Sequence, residues 1–314
     1  MTAPRDYKNL IDKDVWAFIA KTAESYPDDA VDNSIGEQRR IYDAMCKVFH
    51  HPYPEGVTAS DSLADGVRVR VYTAGLPDRT VMYFHGGGFV VGGLHSHDDV
   101  CAEICARTGY RVVSVDYRLS PEHTHPAAFD DSWAATVWAA KEFGDPLVLS
   151  GDSAGGNLAA CVAHHARGRL DGVLGLVLIY PGLGGDGSAL SYVENANAPL
   201  LSAAEMAFYE RVRLAEGQEK PGDDPTFAPL LDSDFADLPP TVIITADCDP
   251  LRDDGPAYAE KLRAAGVKVH WINEPGLVHG YLRARHMAER ARESFERIEV
   301  AIEALGQGLW PYDD

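Results

Sequence analysis

Two apolar patterns with a helical period open the chain. Val15, Phe18 and Ile19 fall on one face, and Ile41, Met45, Val48 and Phe49 on another. Pro52 and Pro54 close that segment. From Val57 the period becomes two: Val67, Val69 and Val71 alternate with arginines after the turn Ala64-Asp65-Gly66, the pattern of an antiparallel edge hairpin. Beyond it, short apolar runs at 81–84, 112–115, 147–149, 176–179, 242–245 and 267–272 predict strands. Helical stretches near 98–107, 129–141, 154–166 and 254–265 lie between them, and a last one lies near 284–305. β-rich runs alternating with helices point to the α/β class, with a mostly parallel twisted sheet covered on both faces. Residues 182–234 break the rhythm, with a Gly/Asp/Ser-rich start and a helical pattern around 203–214. An insertion at that place sits over the carboxyl edge of the sheet, where ligands of open α/β sheets collect. With the N-terminal helices, it reads as a cap.

The sharpest chemical signal is Gly151-Asp152-Ser153-Ala154-Gly155-Gly156, which follows a buried strand and opens a helix. That is the G-x-S-x-G pattern in its strand–turn–helix setting, which lifts it above a serine in an ordinary glycine-rich turn. A nucleophile at so tight a turn takes strained backbone angles, and the helix N-terminus points free N–H groups at the reacting centre. The second signal is His85-Gly86-Gly87-Gly88-Phe89, directly after a predicted strand. Consecutive glycines let backbone amides face a substrate, which suits an oxyanion hole with the Ala154 amide as a further donor. The segment lacks the Lys-Ser/Thr ending of a phosphate loop. His85 and Gly86 are read as support for the loop rather than as the base.

A serine nucleophile needs an imidazole oriented by a carboxylate, in the chain order nucleophile, acid, histidine. His279 sits in a Pro/Gly loop after the last predicted strand, and Asp247, Asp249, Asp253 and Asp254 crowd the loop after the strand before it. The residues alone leave the choice among these four open. His95 with His97, and His123 with His125, read as solvated loop surface beside helix starts, and no metal site is expected.

These motifs resemble the hormone-sensitive lipase family of α/β-hydrolases, in its bacterial carboxylesterase branch. The likeness rests on the two glycine motifs and on Asp116-Tyr117-Arg118-Leu119-Ser120-Pro121-Glu122 and Asp249-Pro250-Leu251-Arg252-Asp253. It spans roughly 55–305; Ser120 departs from the usual alanine. The resemblance implies Ser153, Asp249 and His279 as catalytic residues and the amides of Gly87, Gly88 and Ala154 as oxyanion donors. It also implies no cofactor, residues 1–55 as an N-terminal helical cap segment, and 56–314 as the catalytic domain carrying the 182–234 insertion. The expected activity is serine carboxylesterase; amide or formamide cleavage by the same triad is the alternative, and a non-catalytic small-molecule receptor the remote one. Both a monomer and a homodimer are known among such relatives.

Charge and composition narrow the partners. The chain of 314 residues carries 48 acidic and 28 basic residues, a net charge of −20, which disfavours nucleic acid and anionic membrane surfaces. Asp186, Glu194, Glu205, Glu210, Glu216, Glu219, Asp223 and Asp224 fall in the insertion, which has no long apolar run to press into lipid. Soluble esters with acyl chains of about two to six carbons are therefore expected, led by the resemblance and by ordinary pocket size. Five scattered cysteines, a polar N-terminus and no apolar run of spanning length predict a cytoplasmic protein.

Overall fold

The apolar runs assemble into one eight-stranded sheet in the order β1-β2-β4-β3-β5-β6-β7-β8. In the computed structural model, which describes residues 5–27 and 30–312, the strands are β1 (Thr58–Ala64), β2 (Val67–Thr73), β3 (Thr80–Phe84), β4 (Arg111–Val115), β5 (Leu147–Asp152), β6 (Val173–Ile179), β7 (Thr241–Cys248) and β8 (Val269–Val278). The β1–β2 hairpin is antiparallel and meets β4 antiparallel, whereas β3 to β8 run parallel. The helices are α1 (Tyr7–Leu10), α2 (Lys13–Ala23), α3 (Ile35–Phe49), α4 (Asp98–Thr108), α5 (Ala127–Phe143), α6 (Ala154–Ala166), α7 (Leu190–Glu194), α8 (Ala203–Val212), α9 (Asp254–Ala264) and α10 (Glu289–Gly306).

Strand periodicity decides which layer each side chain joins. Val81 and Tyr83 enter the core shared with α4 and α10, while Met82 and Phe84 enter the core shared with α5, α6 and α9. All four are fully buried, as expected for a strand covered on both faces. The N-terminal helices join the first of these cores through Val15, Phe18, Met45 and Phe49. Asp12 caps α2 by accepting from the Asp14 and Val15 amides, and a Ser202/Glu205 capping box starts α8 in the helical cap. Val48, placed on the apolar stripe by periodicity, is 42% exposed.

Two boundaries differ from the sequence expectation. The last strand does not stop near residue 272 but runs to Val278, and Cys248 pairs with Val278 after a register shift. Pro275 and Gly276 read as a loop, yet β8 is an edge strand, where a bulge absorbs a missing N–H. The final helix begins at Glu289 rather than near 284, after a separate 3₁₀ turn at Tyr281–Ala284. Among the described residues no helix is long and apolar enough to cross a membrane.

Candidate active site

Ser153 lies between β5, at the middle of the sheet, and the first turn of α6. Its φ of 56° and ψ of −117° are costly for a residue with a Cβ. The turn is held from both sides: Ser153 N donates to Ile179 O at 2.9 Å, and Asn157 N donates to Ser153 O at 3.1 Å. Gly155 lets the helix approach β3, since a Cβ there would stand 1.8 Å from the Phe84 carbonyl oxygen.

The parallel strands deliver the other two groups to the same edge. Asp249 follows β7 and His279 follows β8. His279 Nε2 is 2.8 Å from Ser153 Oγ, and His279 Nδ1 is 2.7 Å from Asp249 Oδ2. The other Asp249 oxygen accepts from Leu251 N at 2.9 Å, so the buried carboxylate is fixed in orientation. The three crowded neighbours have different partners. Asp247 accepts from Arg5 Nη2 at 2.8 Å, and Asp253 accepts from Ser191 N at 2.8 Å. Asp254 accepts from Leu183 N at 2.7 Å and Tyr192 Oη at 2.8 Å, holding down the start of the cap; burial pushes its carboxyl up to about 6.

The glycine loop faces the serine across the cavity. Gly87 and Gly88 line the wall with Ser153, Ala154 and His279, and among the described residues their amides have no protein acceptor. The Ala154 amide is also free, as the first in its helix must be. Gly87 has a φ of +132°, and a Cβ there would stand 2.1 Å from Val91 O. The loop is anchored from beneath. Gly86 N donates to Asp152 Oδ1 at 3.0 Å, Tyr83 Oη donates to the same oxygen at 2.9 Å, and His97 Nε2 stands 3.3 Å from Oδ2. Burial would raise the Asp152 carboxyl, but His97, the Arg283 charge and the Tyr83 hydroxyl outweigh it and hold the group well below the usual carboxylate range. His97 is thus a buried partner of Asp152, not the solvated surface residue its His-x-His spacing suggests. The spacing carries no information about the strand end it packs against.

His85 is fully buried and outside the cavity wall. Its Nδ1 donates to Gly86 O at 2.8 Å, and its ring stacks on Tyr117 at 4.3 Å. Burial first, and His97 second, push its imidazole down to about 3, so it stays neutral. Arg39 of α3 ties the loop from outside, donating to Val90 O at 2.9 Å and to Ser120 O at 3.0 Å.

A serine, an imidazole and a buried carboxylate in series, facing unpaired glycine amides, can carry out acyl transfer. Residues 81–283 match the model of the alpha/beta hydrolase fold. The chain belongs to the α/β-hydrolase family. Its motifs set it in the carboxylesterase branch related to hormone-sensitive lipase. It is 41% identical over 263 residues to esterase LipI of Mycobacterium tuberculosis, covering 80% of this chain and 82% of that one. It is 35% identical over 243 residues to ethyl acetate hydrolase of Pseudomonas putida, covering 74% of each. Among solved structures, the Pyrobaculum calidifontis esterase superposes with a TM-score of 0.80 at 36% identity, covering 88% of this chain and 94% of that one.

The cavity of this α/β-hydrolase has a volume of about 910 Å³. Leu200, Tyr209 and Phe89 line it, whereas Phe208 does not; its ring packs on Tyr209 at 5.4 Å. Phe18, Thr22 and Tyr26 of the N-terminal segment complete the wall, as do Arg213 of the cap and Arg283 beyond β8. No local signal marks these residues, because their role depends on contacts between segments far apart in the chain.

Proposed function

We propose that this α/β-hydrolase is a serine carboxylesterase in which Ser153 Oγ attacks the carbonyl carbon of a soluble short-chain ester. His279 Nε2 takes the hydroxyl proton, while Asp249 holds the imidazole by Nδ1 and stabilises the charge that forms on it. The amides of Gly87, Gly88 and Ala154 receive the oxyanion of the tetrahedral intermediate. His279 returns the proton to the leaving alcohol, and a water then cleaves the acyl-enzyme by the same roles in reverse. His85 and Gly86 shape the loop without touching substrate. The observation that carries the reading is the relay Ser153–His279–Asp249, at 2.8 and 2.7 Å, opening on two unpaired glycine amides.

Short acyl chains are supported by the polar, acidic insertion and by the likeness to an ethyl acetate hydrolase. Five free, buried cysteines suit a reducing, cytoplasmic setting. The test is hydrolysis of acetyl, butyryl, octanoyl and palmitoyl esters, with emulsified triglyceride and a matched anilide alongside. A maximum between acetyl and hexanoyl length is expected. Faster turnover of the palmitoyl ester or the emulsion would overturn the chain-length preference, and faster turnover of the anilide would overturn the ester preference.

A further inference from the structure

Two guanidinium groups line the cavity, and among the described residues neither has a carboxylate within ion-pair distance. Arg213 is almost wholly buried and Arg283 partly so; Arg285, buried as deeply as Arg213, has Asp99 and Glu103. A charge held away from bulk water without a counterion is costly, so each of the two calls for its own account.

Arg213 is accounted for by the fold. Its Nη1 donates to Phe227 O at 3.0 Å and its Nη2 to Asn157 Oδ1 at 3.3 Å. The rings of Phe89 and Phe227 enclose it at 3.9 and 4.1 Å. It ties the cap to the helix that follows the serine.

Arg283 lies over the Tyr42 ring at 5.0 Å but has fewer polar partners. Nη2 donates to Tyr42 Oη at 2.5 Å and approaches Cys46 Sγ at 3.6 Å. Its Nε is buried without a partner, and Nη1 has no acceptor among the described residues. Asp152, whose charge acts on it from outside ion-pair distance, is already engaged by Gly86, Tyr83 and Tyr180. Nη1, with its donors unused, can give a charge-assisted hydrogen bond to a carboxylate oxygen. Its position indicates which part of the substrate would reach it. Arg283 lies on the 3₁₀ turn directly after His279-Gly280, and its Nη1 would stand 3.7 Å from a Cβ on Gly280. The leaving alcohol takes its proton from His279, so Arg283 is on the alcohol side.

Resting on the esterase reading above, we propose that Arg283 is an anion anchor in the alcohol half of the cavity, and that the preferred esters carry a carboxylate on the alcohol moiety. About 910 Å³ exceeds what a butyryl group fills and leaves room for such a moiety. In a chain of net charge −20 the local cation also gives an anionic substrate a place to bind that the rest of the surface denies it.

The test compares phenyl butyrate with 3-carboxyphenyl butyrate, which share an acyl group and have leaving phenols of similar acidity. The wild-type kcat/KM ratio is expected to favour the carboxylated ester by about tenfold or more, in the range of one charge-assisted pair. Arg283→Met should bring the ratio to about one, and Arg283→Lys should leave it between the two. A wild-type ratio at or below one overturns the proposal, as does a ratio unchanged in Arg283→Met. Benzoate against benzamide, titrated by calorimetry into Ser153→Ala and into Ser153→Ala/Arg283→Met, reads the same anchor without turnover. A benzoate preference that disappears in the double variant supports the anchor; equal binding, or a preference kept in the double variant, overturns it. Failure to hydrolyse either ester counts against the esterase reading alone, since the calorimetry still decides the anion site.

Discussion

Two histidine–aspartate pairs flank Ser153, and they differ in what the pair reaches. His279 and Asp249 stand at 2.7 Å, and the far imidazole nitrogen meets the serine hydroxyl in an open cavity. His97 and Asp152 stand at 3.3 Å beneath the same turn, both almost wholly buried, with the carboxylate taken up by the Gly86 amide and the Tyr83 hydroxyl. The first pair can move a proton to and from a substrate. The second fixes the backbone on which the unpaired amides sit. The same two residue types therefore serve reaction or scaffold according to the third group they contact.

Breaking each pair separates the two roles. Asp249→Asn should have the larger effect on turnover, a fall of about 10³–10⁴ in kcat with little change in melting temperature, because the imidazole loses the carboxylate that sets its tautomer and stabilises its charge. Steady-state kinetics beside thermal melting checks this, and near-normal turnover would move the acid elsewhere. Asp152→Asn should do the reverse. A loss of about 2–4 kcal/mol of stability is expected, since one partner of a buried pair is removed, with turnover down only about ten- to a hundredfold through a displaced glycine loop. The folded-state carboxyl of Asp152 lies below its unfolded value, so its contribution is present above the usual carboxylate range and disappears as the pH falls. Urea unfolding from neutral to acid pH should accordingly be flatter in Asp152→Asn than in wild type.

A third acid has no hydrogen-bond or ion-pair partner among the described residues. Glu299 on α10 is buried, and burial first, then repulsion from Glu103, pushes its carboxyl up to about 7. Its folded value lies above the unfolded one, so ionisation opposes folding; stability declines as the pH rises from the ordinary carboxylate range to about 7 and levels off above that. Glu299→Gln should gain about 1–2 kcal/mol over wild type at pH near 8, after discounting for its remaining solvent contact, and nothing once the pH is below the ordinary carboxylate range. A constant difference across that range would remove the buried acid from the account. Asp247→Asn should have the smallest effect on turnover, under about threefold, because Asp247 pairs with Arg5 rather than with the imidazole.

The sequence reading reached some of these positions and missed others for definite reasons. Alternating apolar runs name both faces of β3, and the glycine motifs single out Ser153 and the loop opposite it, because tight turns and close backbone approach leave few residue choices. The extension of β8 through Pro275 was hidden because proline and glycine signal a loop unless the strand is known to lie at an edge. The burial of His97, the partner lists of the four clustered aspartates and the unused donors of Arg283 depend on packing between distant segments. No local pattern encodes them.

The proposed chemistry passes through an acyl-enzyme on Ser153. Its most direct test is treatment of the folded protein with a fluorophosphonate that traps activated serines, followed by peptide mass mapping during loss of butyryl ester hydrolysis. One phosphonylated residue, Ser153, is expected, with labelling that tracks inactivation and falls steeply in His279→Ala. Inactivation with the label on another residue, or undiminished hydrolysis after full labelling of Ser153, would contradict that chemistry.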